Sequence, residues 1–156
     1  MNYSKALNEC IESAYMVAGH FGARYLESWH LLIAMSNHSY SVAGATLNDY
    51  PYEMDRLEEV ALELTETDYS QDETFTELPF SHRLQVLFDE AEYVASVVHA
   101  KVLGTEHVLY AILHDGNALA TRILERAGFS YEDKKDQVKI AALRRNLEER
   151  AGWTRE

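Results

Sequence analysis

Apolar residues recur at three- and four-residue spacing from Ser4 to Gly19, through Leu7, Ile11, Ala14, Val17 and Ala18. That spacing marks one face of a helix, and Ser4 stands where an N-cap belongs. The pattern returns from Ser81 through Leu84, Leu87, Phe88, Ala91, Val94, Ala95 and Val98, again behind a serine. A shift of 77 residues superposes the two runs without a gap. Twelve pairs between positions 4 and 47 are then identical, among them Leu26/Leu103, His30/His107 and Leu47/Leu124. Chance identity would be several-fold lower, so the chain contains an internal repeat.

Each repeat predicts the same four parts. A long helix comes first, and after a short loop a second helix opens at Ser28 or Thr105. A short helix follows over about 41–49 or 117–127, and a fourth over about 53–66 or 131–149. Pro51 stops the helix before it, and Gly128 fits a helix C-terminus. The fold class is therefore all-α, two tandem four-helix repeats. Repeat one covers 3–66, an acidic linker 67–78, repeat two 79–149 and a tail 150–156. Glu63 to Glu77 carries six acidic residues and no Lys or Arg, which reads as a solvated connector. The last stretch, Lys134 to Arg150, mixes charges of both signs around Val138, Ile140, Ala141 and Leu143. It lacks a clear stop, and the native protein is expected to continue.

Composition supports helices: the 156 residues include only two Pro and seven Gly, with 47% hydrophobic and 26% charged residues. A net charge of −12 disfavours nucleic acid and anionic membranes, and favours partners with cationic groups. The one cysteine, Cys10, rules out an internal disulfide and reads as a buried small hydrophobe. No signal peptide or bilayer-length apolar stretch is present, so a cytoplasmic location is expected.

The usual devices of catalysis are missing. There is no G-x-x-x-x-G-K-[ST], G-x-G-x-x-G, H-E-x-x-H or G-x-S-x-G motif. Glu27-Ser28-Trp29-His30 has the E-x-x-H spacing of di-iron bundles, but such sites need two copies. The second repeat reads Gly104-Thr105-Glu106-His107, with glycine at the Glu27 position. No metal and no cofactor are expected. His30 and His107, repeated at one place in both units, read as first-turn histidines hydrogen-bonded within the fold.

"LGTEHVLYAIL" and "ATRILERAGF", within a doubled unit, resemble the Clp N-terminal repeat. This is the adaptor- and substrate-docking domain of the Hsp100/Clp ATPases, and the resemblance is closest to ClpC. It covers nearly the whole chain. The first repeat departs from it, with "ESWH" in place of "GTEH" and "VAGATLNDYPY" in place of the usual ending. The resemblance implies a pseudo-two-fold bundle of eight helices and no enzyme activity in this chain. Its ATPase modules would lie beyond Glu156, in a hexameric bacterial unfoldase that feeds a ClpP-type peptidase. The implied partners are MecA-type adaptors and unfolding substrates.

Some members bind phosphoarginine through the Glu of "GTEH", which carries over to Thr105 and Glu106. Free amides at the helix start suit the phosphate, and the carboxylate suits the guanidinium. The alternative for Glu106 is a first-turn carboxylate that stabilises its own helix. Ser28 and Trp29 are the degenerate counterpart. Glu27 precedes them and would point about 100° away around a helix. Trp29 is either core or an aromatic contact for a partner. A competing reading makes the chain a free-standing helical adaptor or regulator of a Clp-type protease.

Overall fold

The computed structural model describes residues 1–48, 56–65, 77–114 and 119–127. Seven α-helices lie among them: α1 Lys5–His20, α2 Ser28–Ser36, α3 Val42–Asn48, α4 Arg56–Thr65, α5 His82–Val97, α6 Thr105–His114 and α7 Leu119–Ala127. No strand longer than a single bridge occurs among the described residues. The all-helical fold class therefore stands, and each observed helix falls within a residue or three of its expected bounds. The expected helix over 131–149, Pro51, Gly128 and linker residues 67–76 lie outside the described residues.

The two long helices begin alike because their sequences do. The Ser4 hydroxyl accepts the Leu7 N–H at 3.1 Å, and the Ser81 hydroxyl accepts the Leu84 N–H at 3.1 Å. Each such cap stabilises its helix by about 1 kcal/mol. The ends also match. Gly22, at φ 64°, follows α1, and the Ala23 N–H reaches back to the Ala18 carbonyl at 3.0 Å. The 77-residue counterpart of Gly22 is His99, which takes φ 59° in the same reversal, with the Ala100 N–H on the Ala95 carbonyl at 2.8 Å. The first repeat thus has glycine where the left-handed turn needs it, and the second forces an L-residue into it.

Helix α2 is apolar on nearly every side, as a central helix must be. Residues Trp29 to Ser36 are all buried. It packs on α1 and α3 of its own repeat and on α7 of the other. Helix α6 mirrors it, packed on α5 of its own repeat and on α3 of the first. The halves therefore share one core.

Two parallel bridges tie the halves together: Tyr3 with Leu103, and Leu26 with Phe80. The Ser4 N–H donates to the Leu103 carbonyl at 2.8 Å, and the Leu103 N–H to the Asn2 carbonyl at 2.8 Å. Its counterpart runs from Ser81 N–H to the Leu26 carbonyl at 3.0 Å, and from Leu26 N–H to the Pro79 carbonyl at 2.9 Å. Each bridge fixes the residue two positions before α2 or α6, and so sets where those helices start.

Candidate functional site

Helices α2 and α6 open directly after the bridges, at Ser28 and Thr105. In both, the histidine in the first turn accepts a backbone bond from the residue that precedes the helix. The Glu27 N–H donates to His30 Nδ1 at 2.9 Å, and the Gly104 N–H donates to His107 Nδ1 at 2.9 Å. A nitrogen that accepts must carry a lone pair, so both rings are neutral with the proton on Nε2. Burial reinforces this, lowering the His30 pKa to about 3 and depressing that of His107 as well. The expected role of both histidines, a bond within the fold, is what the structure shows. His30 is fully buried, and its Nε2 finds no hydrogen-bond partner among the described residues.

Thr105 opens α6 as expected, but its hydroxyl is not turned to solvent. It is buried, and its Oγ1 accepts the Ala43 N–H at the start of α3, at 3.2 Å. Ser41 answers the next amide, accepting the Gly44 N–H at 3.0 Å. Thr105 thus caps a helix of the other repeat. This contact crosses 62 residues of sequence, and no local pattern announces it.

Glu106 folds back over the start of its own helix. A Cβ placed on Gly104 would fall 1.6 Å from Glu106 Oε1 and 2.7 Å from its Cδ, so the carboxylate fills the space that glycine leaves. Burial raises the Glu106 pKa, and a bond to its own backbone N–H opposes that rise. Glu106 Oε1 lies 3.4 Å from His107 Nδ1. The two do not form an ion pair, because that ring is neutral and its Nδ1 already accepts the Gly104 N–H. The helix start that would suit an anion is therefore covered by the protein's own carboxylate.

In the first repeat these roles are rearranged. Trp29, in the Glu106 position, is buried edge-on to Phe21 at 4.7 Å and beside the His30 ring at 3.8 Å. It takes its place in the core, the first of its two alternatives. Glu27 is extended, at φ −116° and ψ 161°, so the helical 100° offset does not apply to it. Ser28 is half-buried at the first position of α2. The pair Gly104/Glu106 against Glu27/Trp29 is a linked exchange. Where glycine makes room the carboxylate folds back, and where Trp29 packs on Phe21 and His30 the carboxylate stands instead on the residue before the helix. That exchange was visible in the repeat alignment as two mismatches two residues apart.

Cys10 is fully buried, and burial, with Glu9 nearby, pushes its thiol up to about 12. Among the described residues, no group of three His, Cys, Asp or Glu side chains could hold a metal ion. No helix among them is long and apolar enough to cross a membrane.

The family model of the Clp repeat (R) N-terminal domain matches residues 2–150. No curated protein sequence matches significantly. Among solved structures, the N-terminal domain of the caseinolytic protease associated chaperone ClpD from Arabidopsis thaliana is similar. Its TM-score is 0.72 at 16% identity, over 97% of this chain and 95% of that one. The Hsp104 N-terminal domain from Candida albicans gives a TM-score of 0.71 at 17% identity, over 99% and 95%. These structures establish the fold, and the family match spans both repeats. A doubled helical unit, clasped at its bridges and matched by that model over nearly its full length, belongs to the Clp repeat N-terminal domain family.

Proposed function

We propose that this chain is the adaptor- and substrate-docking domain of a ClpC-type AAA+ unfoldase that serves ATP-dependent protein degradation in a bacterial cytoplasm. The observation that carries this reading is the outward face of α5, where Val86, Tyr93 and Val97 stand exposed. Exposed apolar side chains grouped on one element mark surfaces that meet other proteins. The inward chemistry supports it: His30, His107, Thr105 and Cys10 are all buried within the fold. The whole protein would be hexameric and paired with a ClpP-type peptidase, with no cofactor held in this chain.

The test is capture of a purified MecA-type adaptor and of a permanently unfolded protein by the chain, beside an ATPase assay. Saturable binding without turnover is expected. Specific ATP turnover, or no binding to either protein, would overturn the reading. Within it, a phosphoarginine side chain would meet Glu106 only after that carboxylate leaves the α6 start. Calorimetry with phosphoarginine should then show weaker binding for Glu106→Ala than for the unaltered chain. No binding by the unaltered chain would remove that assignment.

A further inference from the structure

A groove of about 520 Å³ runs between α5 and α6 on the outside of the second repeat. Its walls are Val86, Tyr93 and Val94 from α5 and Tyr110 and Ala111 from α6. The volume is that of a ligand cleft, which spans roughly 300–1,000 Å³. Tyr93 is 71% exposed and Val86 43%, so the apolar wall faces water. Asp89 and Glu90 add two carboxylates, and His114, the last residue of α6, completes the lining.

The first repeat differs at this place. There the Glu9–Ser13 edge of the matching α1 surface is met by polar contacts from the chain itself, while Met16, the counterpart of Tyr93, stays 55% exposed. His38 Nε2 lies 3.0 Å from Ser13 Oγ, and its Nδ1 lies 2.7 Å from the Tyr40 hydroxyl. The Tyr40 hydroxyl in turn donates to the Glu9 carboxylate. The 77-residue register matches Glu9 to Val86 and Ser13 to Glu90, so this self-contact lies where the groove lies on α5. The covering residues have no counterpart in the second repeat's sequence. Asp115 and Asn117 stand at the positions of His38 and Tyr40.

We infer that the α5–α6 groove docks an amphipathic helix of a partner protein, with apolar or aromatic anchors and flanking Lys or Arg. The inference rests on the docking reading above and names its surface and its partner chemistry. Val86 to Val94 spans about 12 Å along α5, two turns against which a helix can lie. The anchors meet the apolar walls formed by Val86, Tyr93, Val94 and Tyr110. The cations meet Asp89 and Glu90, on a chain that carries a net charge of −12. An acidic helix of equal apolarity would place like charges together, so charge decides which helices bind.

The probe is a fluorescein-labelled 16-residue helical peptide, Leu and Phe on one face and Lys on the flanks, with a control bearing Glu for each Lys. Fluorescence anisotropy is read on the full chain, on Tyr93→Arg and on Glu90→Lys. Both altered residues are exposed, so the fold should survive, which circular dichroism checks. The cationic peptide should bind at least tenfold tighter than the acidic one. Each variant should lose at least tenfold, and amide shifts should cluster on α5 and α6. Equal affinity for the two peptides, or unchanged binding by both variants, would overturn the inference. So would a dimer in sedimentation that Tyr93→Arg dissociates, because the occupant would then be a second copy. Adaptor and unfolded-protein capture run in parallel separates the two readings. Capture retained by variants while the peptide fails to bind sinks the groove alone. Loss of all capture by the unaltered chain sinks the docking function.

Discussion

Lowering the pH from 7 to 4.5 puts a proton on His30 in the unfolded chain but not in the folded one. In the fold, Nδ1 accepts the Glu27 N–H and the ring lies fully buried beside Phe21 and Trp29. A proton on Nδ1 would break that bond and leave a charge among rings, which is why the pKa sits at about 3 against an ordinary 6.5. A depressed folded pKa contributes stability that is present above 6.5 and lost as the pH falls from 6.5 toward 3. At ~1.4 kcal/mol per pH unit, His30 alone removes about 2.5 kcal/mol between pH 7 and pH 4.5. His107 acts in the same direction. Urea unfolding across that range, for the unaltered chain and for His30→Asn, reads the term directly. Asparagine keeps an acceptor near Nδ1 and cannot be protonated. The variant should be less stable at pH 7, by roughly 2–4 kcal/mol from lost volume, with a shallower acid slope. If the His30 ring titrates near 6.5 in the folded protein, or both slopes are equal, the reasoning fails.

A methyl group on Gly44 would lie 1.8 Å from the His38 carbonyl oxygen and 2.7 Å from that of Met35, both backbone atoms that cannot swing away. Gly44→Ala should therefore destabilise the domain by about 1–3 kcal/mol in urea despite its better helix propensity, and a neutral result would contradict the packing. At Gly104 the obstacle is only the mobile Glu106 carboxylate. Gly104→Ala should change stability by less than about 1 kcal/mol. It should also release Glu106, so that the carboxyl pKa, followed by carbon NMR, falls back toward 4.5; an unchanged raised value would show that burial comes from elsewhere. The raised pKa means that the Glu106 contribution to stability is lost as the pH rises past 4.5, opposing the histidine terms, so Glu106→Gln should steepen the gain in stability between pH 4.5 and 7. His99→Gly should stabilise by about 0.5–1 kcal/mol, because the turn at φ 59° costs an L-residue more than glycine loses in unfolded-chain entropy; a lower thermal midpoint would refute this.

Local chemistry was legible in the sequence, and contacts across the repeat boundary were not. The Ser4 and Ser81 caps need only the three residues that follow, so periodicity and one hydroxyl located both helices. The His30 and His107 bonds span three residues and repeat, which is why the pattern read them correctly. The partner of the Thr105 hydroxyl, the Ala43 N–H, belongs to the other repeat, so no local pattern announces that bond. The inward turn of Glu106 depends on the empty volume at Gly104, which a list of residue types records only as a glycine. The groove on α5 depends on side chains brought together from two helices, and its contrast with the Tyr40 contact on α1 appears only when both surfaces are compared.

The two bridges carry a further meaning. Counted within a repeat, Tyr3 with Leu103 and Phe80 with Leu26 join the same two positions, once in each direction. That is the contact rule of a two-fold homodimer, here written into one polypeptide. Joining the halves turns a bimolecular encounter into an intramolecular one, so folding ceases to depend on protein concentration. It also means that two chains could exchange halves and recover every bridge without forming a new one. The balance between one-chain and two-chain closure therefore rests on the effective concentration set by the connector.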